Sequence, residues 1–163
     1  MARKHITLRT EVYRRDMEKM AEWMEDDAVT KHLNETQNID RQLRRLLDRT
    51  TLPVFSPQLN RHGPFFLITL PNHGPIGFLR LVPKQHAAEM VIVIGERSQW
   101  GNGYGQRAVR KGLKRAADEL RKEKVLATIH KDNIRSRRLF RHIGFTKIGE
   151  SEKEVKLAFD INT

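Results

Sequence analysis

Apolar and polar residues alternate from His5 to Arg9, which predicts a short opening strand. The rhythm then changes: Tyr13, Met17, Met20, Ala21 and Met24 recur at the spacing of one helix face. Val29–Leu33 predicts a short second helix ahead of the polar stretch Asn34–Asn38, and Ile39–Leu47 is helical again. Pro53, Ser56, Pro57, Asn60 and Gly63 mark a loop. Three strands follow in quick order: Phe65–Leu70, closed by the turn Pro71-Asn72-His73-Gly74, then Ile76–Val82, then Ala88–Ile94. The centre of the third, Met90-Val91-Ile92-Val93-Ile94, is apolar on both faces, the pattern of a strand buried in the middle of a sheet.

A glycine-rich stretch, Gly95–Gly105, separates that strand from an amphipathic helix carrying Val109, Leu113, Ala116, Ala117 and Leu120 on one face. Val125–Ile129 predicts a further strand, and Ile134–Ile143 a helix with Leu139, Phe140 and Ile143 on one side and Gly144 just past its end. Val155–Ile161 alternates and predicts the last strand. Neither an internal repeat nor a linker interrupts the series, so residues 1–163 are expected to form one domain. The order of elements predicts an α/β (α+β) fold: a mainly antiparallel sheet with one parallel crossover late in the chain.

Composition narrows the functional classes. At 38% hydrophobic and 31% charged residues the chain has the balance of a soluble globular protein. Its longest clean apolar run, Met90–Ile94, is far short of the roughly 18 residues of a membrane span, so no membrane partner is expected. No apolar run follows the charged start Met-Ala-Arg-Lys-His, so no signal peptide is expected. The absence of cysteine excludes disulfides, thiolate metal sites and a cysteine nucleophile, and it fits a cytoplasmic location. The seven histidines show no ligand spacing, and no metal is expected. The net charge of +11 is unevenly placed: residues 1–50 hold eleven Lys/Arg against ten Asp/Glu, residues 51–100 four against two, and residues 101–163 sixteen against eight. That C-terminal excess suits a polyphosphorylated small molecule, a nucleic acid, or simply a solvated surface.

The stretch Trp100-Gly101-Asn102-Gly103-Tyr104-Gly105-Gln106 stands where strand gives way to helix. Alternate glycines permit positive φ and let a ligand approach the backbone. Successive N–H groups there, reinforced by the helix dipole, form a phosphate cradle. A plain strand-to-helix turn is the alternative. The run lacks the Gly-Lys-Ser/Thr of a P-loop, and Gln106 stands where a dinucleotide fingerprint needs its third glycine.

Two motifs resemble those of the GNAT superfamily of acetyl-CoA-dependent N-acetyltransferases. The family's pyrophosphate motif is Gln/Arg-x-x-Gly-x-Gly/Ala at a strand–loop–helix junction; Gly103 and Gly105 match its glycines, and Trp100 stands where Gln or Arg is usual. Trp-Gly-x-Gly-Tyr looks like the branch of the RimJ/RimL-type ribosomal-protein N-terminal acetyltransferases and the polyamine acetyltransferases. The run His130–Phe145 resembles the second signature, Asn-x-x-Ser/Ala-x-x-Leu-Tyr/Phe-x-x-x-Gly-Phe, and Ala21–Met24 through Asn34-Glu35 resembles the acceptor-side helices of that branch. The resemblance covers about residues 5–160. It implies a GNAT fold, with a central mixed, mostly antiparallel sheet of six or seven strands flanked by about four helices. It also implies acetyl-CoA as cosubstrate and direct attack, in a ternary complex, by a primary amine of a small molecule or a protein N-terminus. Monomer and homodimer both fit it.

The resemblance implies cofactor contacts from Val93, Ile94 and Gly95, from Trp100, Gly101, Asn102, Gly103, Tyr104, Gly105 and Gln106, and from Asn133, Ser136 and Phe140. A backbone N–H around Val93–Gly95 is the implied oxyanion donor. Asn133 also suits a helix cap. Arg107, Arg110, Lys111, Lys114, Arg135, Arg137, Arg138 and Arg141 lie within or after the signatures, as phosphate partners or as solvated faces. Glu89 is the first candidate base: it stands fourteen positions ahead of Gly103, as in the histone-acetylating branch, and alternation sets it on one face with Val91 and Val93. Glu96 is the second, and for both a solvated carboxylate is the alternative. Phe140 stands where many relatives carry a tyrosine acid; Ser136, Tyr104 or water are the substitutes, with His130 and His142 behind them. Glu18, Glu22, Glu25, Asp26 and Asp27 suit a cationic acceptor or an ordinary wet helix face. Two rivals stay open: a GNAT-fold acyl-CoA-binding protein without catalysis, and a basic nucleic-acid-binding module. Only 7% of residues are aromatic and no recognition signature appears, which disfavours nucleic acid as a direct partner.

Overall fold

A computed structural model describes residues 5–31, 39–49, 51 and 53–161. Leu33 and the polar stretch Asn34–Asn38, with Glu35, lie outside the described residues. One sheet holds seven strands: β1 (Thr7–Arg9), β2 (Phe65–Leu70), β3 (Gly74–Pro83), β4 (Ala87–Ile94), β5 (Lys124–His130), β6 (Thr146–Glu150) and β7 (Glu154–Asp160). Their order across the sheet is β1-β2-β3-β4-β5-β7-β6. Every pairing is antiparallel except β4 with β5. The apolar strand β4 sits at the centre, as its pattern predicts.

Among the described residues six α-helices accompany the sheet: α1 (Arg14–Glu25), α2 (Asp27–Thr30), α3 (Ile39–Arg49), α4 (Ser56–Leu59), α5 (Tyr104–Asp118) and α6 (Ile134–Ile143). Beside four longer helices, α2 and α4 are single turns, and α2 starts two residues ahead of the short helix expected at Val29–Leu33. The turn α4 falls in a region whose prolines predict a loop. Pro57 is compatible with it because it stands in the first turn, where a missing N–H removes no helical bond. β6 escapes the pattern for a different reason. It is an edge strand with Ile148 58% exposed, so no face is buried to impose alternation.

Two apolar layers grip the sheet. On one face, Phe66, Ile68, Leu79, Leu81 and Met90 pack with Val109, Leu113 and Ala116 of α5 and Phe140 and Ile143 of α6. On the other, Phe65, Leu67, Phe78 and Val93 pack with Met17, Met20, Trp23 and Met24 of α1 and Leu43 of α3. This second layer draws on β2, β3 and β4 and on nothing from β5–β7.

Polar anchors set the angle of α1. Asp16 is buried at 2% exposure, holds the Arg9 guanidinium through two 3.0 Å bonds, and accepts the Tyr13 N–H at 2.9 Å. At the far end of α1, Trp23 lies flat against the backbone at Gly95. A Cβ on that glycine would come within 2.2 Å of the indole, so the close approach requires glycine. One charge is less well served: Arg80 on β3 has a buried Nε with no partner. Such a group costs about 1–3 kcal/mol.

Candidate functional site

Parallel pairing of β4 with β5 ends at Glu89 and Leu126, while β4 runs on to Ile94 and β5 to His130. Two cavities open along the resulting gap. The larger, about 530 Å³, is walled by Ile92–Ile94, the loop at Gln99–Gly101 and Gly103, the first turn of α5, residues of α6, and Ala28 and Val29. The smaller, about 270 Å³, is walled by Lys84, Glu89, Val91, Thr128, His130 and Phe140 among others. Ile92, Asn133 and Ser136 line both, so the two share a wall in the gap.

Gly101 and Gly103 both have φ of 80°, in the left-handed region that strains residues with side chains. A Cβ at either would meet nothing within 4 Å, so this backbone faces open space. Gly103 is the cap of α5, and Arg107 N–H is the first amide to reach back, to the Gly103 carbonyl at 3.3 Å. The amides of Gly105 and Gln106 therefore point out of the helix end, at the larger cavity. With the positive end of the helix dipole behind them, they make an anion cradle.

Trp100, the departure from the expected motif, is an anchor. Its Nε1 donates to the Ile94 carbonyl at 2.8 Å, and the Arg135 guanidinium stacks 3.8 Å above its ring. The indole thus pins the loop to the end of β4 and holds a cation at the cavity. Asn102 donates to the Gln99 carbonyl at 3.0 Å and lies outside the cavity lining. Of the eight basic residues flagged in the sequence, Arg135 and Arg138 line the cavity, with His142 beside them. Arg137 instead donates to the Lys131 carbonyl at 2.9 Å.

The amides of β4 divide by direction. The N–H groups of Gly95 and Glu96 both donate to the Ile76 carbonyl, at 2.8 and 3.1 Å, forming a β-bulge. Alternation along the ladder turns the Val93 N–H the same way and the Ile94 N–H away from β3, into the gap. Within Val93–Gly95, Ile94 is thus the residue with an amide aimed at the cavity.

Glu89 stands at the vertex of the gap, 28% exposed. Its Oε1 accepts the Thr128 hydroxyl at 2.9 Å from across the gap, and its Oε2 lies 3.8 Å from Lys84 Nζ. No local spacing marks either partner. Glu96 lies outside the lining of both cavities. It accepts Trp23 Nε1 at 3.1 Å and faces Lys19 Nζ at 3.1 Å. Burial draws its pKa up, but the hydrogen bonds from Trp23 and Lys19 and the charges of Lys19 and His73 outweigh it, leaving the carboxyl below its usual range. That environment holds Glu96 ionised and ties α1 to the end of β4.

Asn133 caps α6 by accepting the Ser136 N–H at 3.2 Å, and both residues line both cavities. Phe140 is 2% exposed, packs edge-on against Phe145 at 4.9 Å, and touches only the smaller cavity. His130 Nδ1 accepts the Asp132 N–H at 3.2 Å at the edge of that cavity. The acidic cluster of α1 is divided: Glu25 pairs with Arg44, and Asp26 accepts the Ala28 N–H at 3.0 Å with Arg97 at 3.7 Å. Among the described residues no three His, Asp or Glu side chains gather as metal ligands, and no helix is long and apolar enough to cross a membrane.

Comparison with known proteins bears on this geometry. Residues 5–146 match the family described as acetyltransferase (GNAT) domain. The chain is 43% identical over 79 residues to the N-acetyltransferase 9-like protein of Nematostella vectensis, covering 47% of this chain and 40% of that protein. The aligned region thus spans less than half the length of that curated relative. A GNAT-family acetyltransferase structure from Bacillus anthracis superposes with a TM-score of 0.77 at 19% identity, over 100% of this chain and 98% of the other. The aminoglycoside acetyltransferase AAC(6')-Ib in complex with coenzyme A superposes at 0.75 and 16% identity, over 96% and 95%. These likenesses show the same fold. With the family match running from the first strand into β6, across the split sheet and the glycine cradle, the chain belongs to the GNAT acetyltransferase family.

Proposed function

We propose that this protein is an N-acetyltransferase that takes acetyl-CoA in the larger cavity and receives an amine through the smaller one. The observation that carries the proposal is the cradle at Gly101–Gln106, opening on a cavity that shares a wall with the pocket of Glu89. The residues present fit coenzyme A. Outward amides at a helix start suit a pyrophosphate, Arg135 and Arg138 add positive charge, and the split strand leaves β4 backbone free for a pantetheine-like chain. The Trp100–Tyr104 run supports the RimJ/RimL-like branch.

Bound there, acetyl-CoA supplies an acetyl group on a thioester sulfur. The Ile94 N–H, directed into the gap, is this chain's donor for negative charge on the acetyl oxygen. Among the described residues lining the smaller cavity, Glu89 is the one carboxylate, and it accepts the proton the amine must lose. Thr128 keeps that carboxylate turned into the gap. Ser136, on the shared wall, and Tyr104, in the larger cavity, offer hydroxyls for the departing thiolate, where Phe140 offers none.

Phe140 also favours a second reading, in which the fold binds acyl-CoA without transferring it. Titration of acetyl-CoA, followed by thiol release with a panel of amines and N-terminal peptides, separates the two. Binding with release supports the enzyme. Binding without release for every amine supports the second reading, and absence of binding overturns both.

A further inference from the structure

A third cavity, about 540 Å³, lies away from the gap, between α1, α3, α4 and the β2–β3 face. Its size falls in the range of small-molecule sites. Its walls divide by chemistry. Met20, Leu43, Phe65 and Phe78 make it apolar, while Arg45, Arg49, Arg61 and Arg80 make it cationic. Among the described residues lining it there is no carboxylate.

Arg80 is the centre of this cluster. Its guanidinium lies over the Phe65 ring at 5.4 Å and reaches the Leu59 carbonyl only at 3.5 Å. Its Nε is buried without a partner, and so is Oε1 of Gln58 in the same wall. Burial draws the Arg80 pKa below its ordinary value, as expected of a charge short of counter-charge. An arginine offers a fork of donors matched to a carboxylate, and Gln58 presents its amide N–H₂ to the same anion after a simple flip. Four arginines around one apolar hollow repel a cationic ligand and leave an amphipathic anion as the complementary occupant.

We propose that this cavity binds an amphipathic carboxylate, with its anion on Arg80 and the neighbouring arginines and its apolar part against Phe65, Phe78 and Met20. In the ladder Arg80 stands opposite Val91, which lines the smaller cavity of the gap. The carboxylate therefore has two sources: the acceptor amine itself, or a separate ligand seated beside it. The choice between sources rests on the proposed acetyl transfer; the binding does not.

Calorimetric titration with phenylacetate and phenylacetamide tests the proposal. Phenylacetate is expected to bind about tenfold or more tightly than the amide, the worth of a charge-assisted hydrogen bond. Arg80→Met is expected to lose about the same factor while coenzyme A affinity stays unchanged. If that variant does not fold, the pair Arg49→Gln and Arg61→Gln, both on exposed residues, carries the test. Equal affinity for acid and amide, unchanged affinity in the variants, or no phenylacetate binding by protein that still binds coenzyme A overturns it. Phenylacetate binding by protein that fails to bind coenzyme A supports it and sinks the acetyltransferase reading instead. Acetylation of phenylalanine, inhibited competitively by phenylacetate, makes the acceptor the source. Phenylacetate binding without such competition makes a separate ligand the source.

Discussion

The α5–α6 side of the sheet and the α1–α4 side cover one scaffold yet carry their chemistry in different materials. On the first side recognition is written in backbone: two left-handed glycines, the amides at the start of α5, and the cap of α6. On the second it is written in side chains drawn from distant positions. Glu89 meets Thr128 across 39 residues. A backbone cradle is indifferent to most substitutions around it and suits a ligand that never changes. Side-chain clusters such as Arg45, Arg49, Arg61 and Arg80 are easily rewritten and suit a ligand that varies.

Substitutions confined to one side of the sheet test this division. Glu89→Gln is expected to lower turnover by about 10²–10⁴, the worth of a general base, with coenzyme A affinity intact. An unchanged rate removes Glu89 from the chemistry. Gly103→Val should weaken coenzyme A binding by about a hundredfold, as a β-branched residue at φ of 80° distorts the cradle and two charge-assisted amide bonds are lost. Calorimetry checks it, and a loss under about threefold would mean the amides do not clasp phosphate. Gly95→Ala, on the other side, is expected to cost about 1–3 kcal/mol of stability by driving a methyl into Trp23, read from a denaturant midpoint. Arg135→Gln should reduce coenzyme A affinity about tenfold and flatten its salt dependence.

The smallest effect belongs to Glu96→Gln, about 1 kcal/mol of stability at neutral pH, with little change in turnover. Its sign with pH is definite. A carboxyl whose folded pKa lies below its unfolded value stabilises fully above the unfolded pKa, about 4.3 for glutamate, and loses that stabilisation as pH falls through the folded value. The gap in melting temperature between wild type and variant should therefore close on acidification below about pH 4.3. A gap that stays constant would show that the bonds from Trp23 and Lys19 do not hold Glu96 ionised.

The elements with a buried apolar run or stripe were legible at close to their true limits. Phe65–Leu70 and Ile134–Ile143 match the structure end for end: the first is a continuous apolar run buried on both faces and closed by turn residues, the second buries a regular stripe. The edge strand β6, exposed on both sides, carries no stripe to detect. The turn α4 is hidden behind two prolines that ordinarily signal a loop. Within the site, Gly101, Gly103 and Asn133 were legible because their work is local: a positive φ, an open helix end, a cap three residues upstream of its donor. Glu96 illustrates the reverse. Its nearness to the glycine loop in sequence suggested chemistry, and its bonds to Trp23 and Lys19 tie it to α1.

Local order along the chain carried the period of the buried elements, the place of the glycine cradle and the excess of positive charge that follows it. Tertiary contacts set which amide of β4 faces the gap, which arginines of the basic region line a cavity, and that the Nε of half-buried Arg80 has no partner. The reason is physical. Periodicity and backbone conformation are set by neighbours a few residues away. Direction along a ladder, burial and counter-charge are set by segments that meet only when the sheet closes.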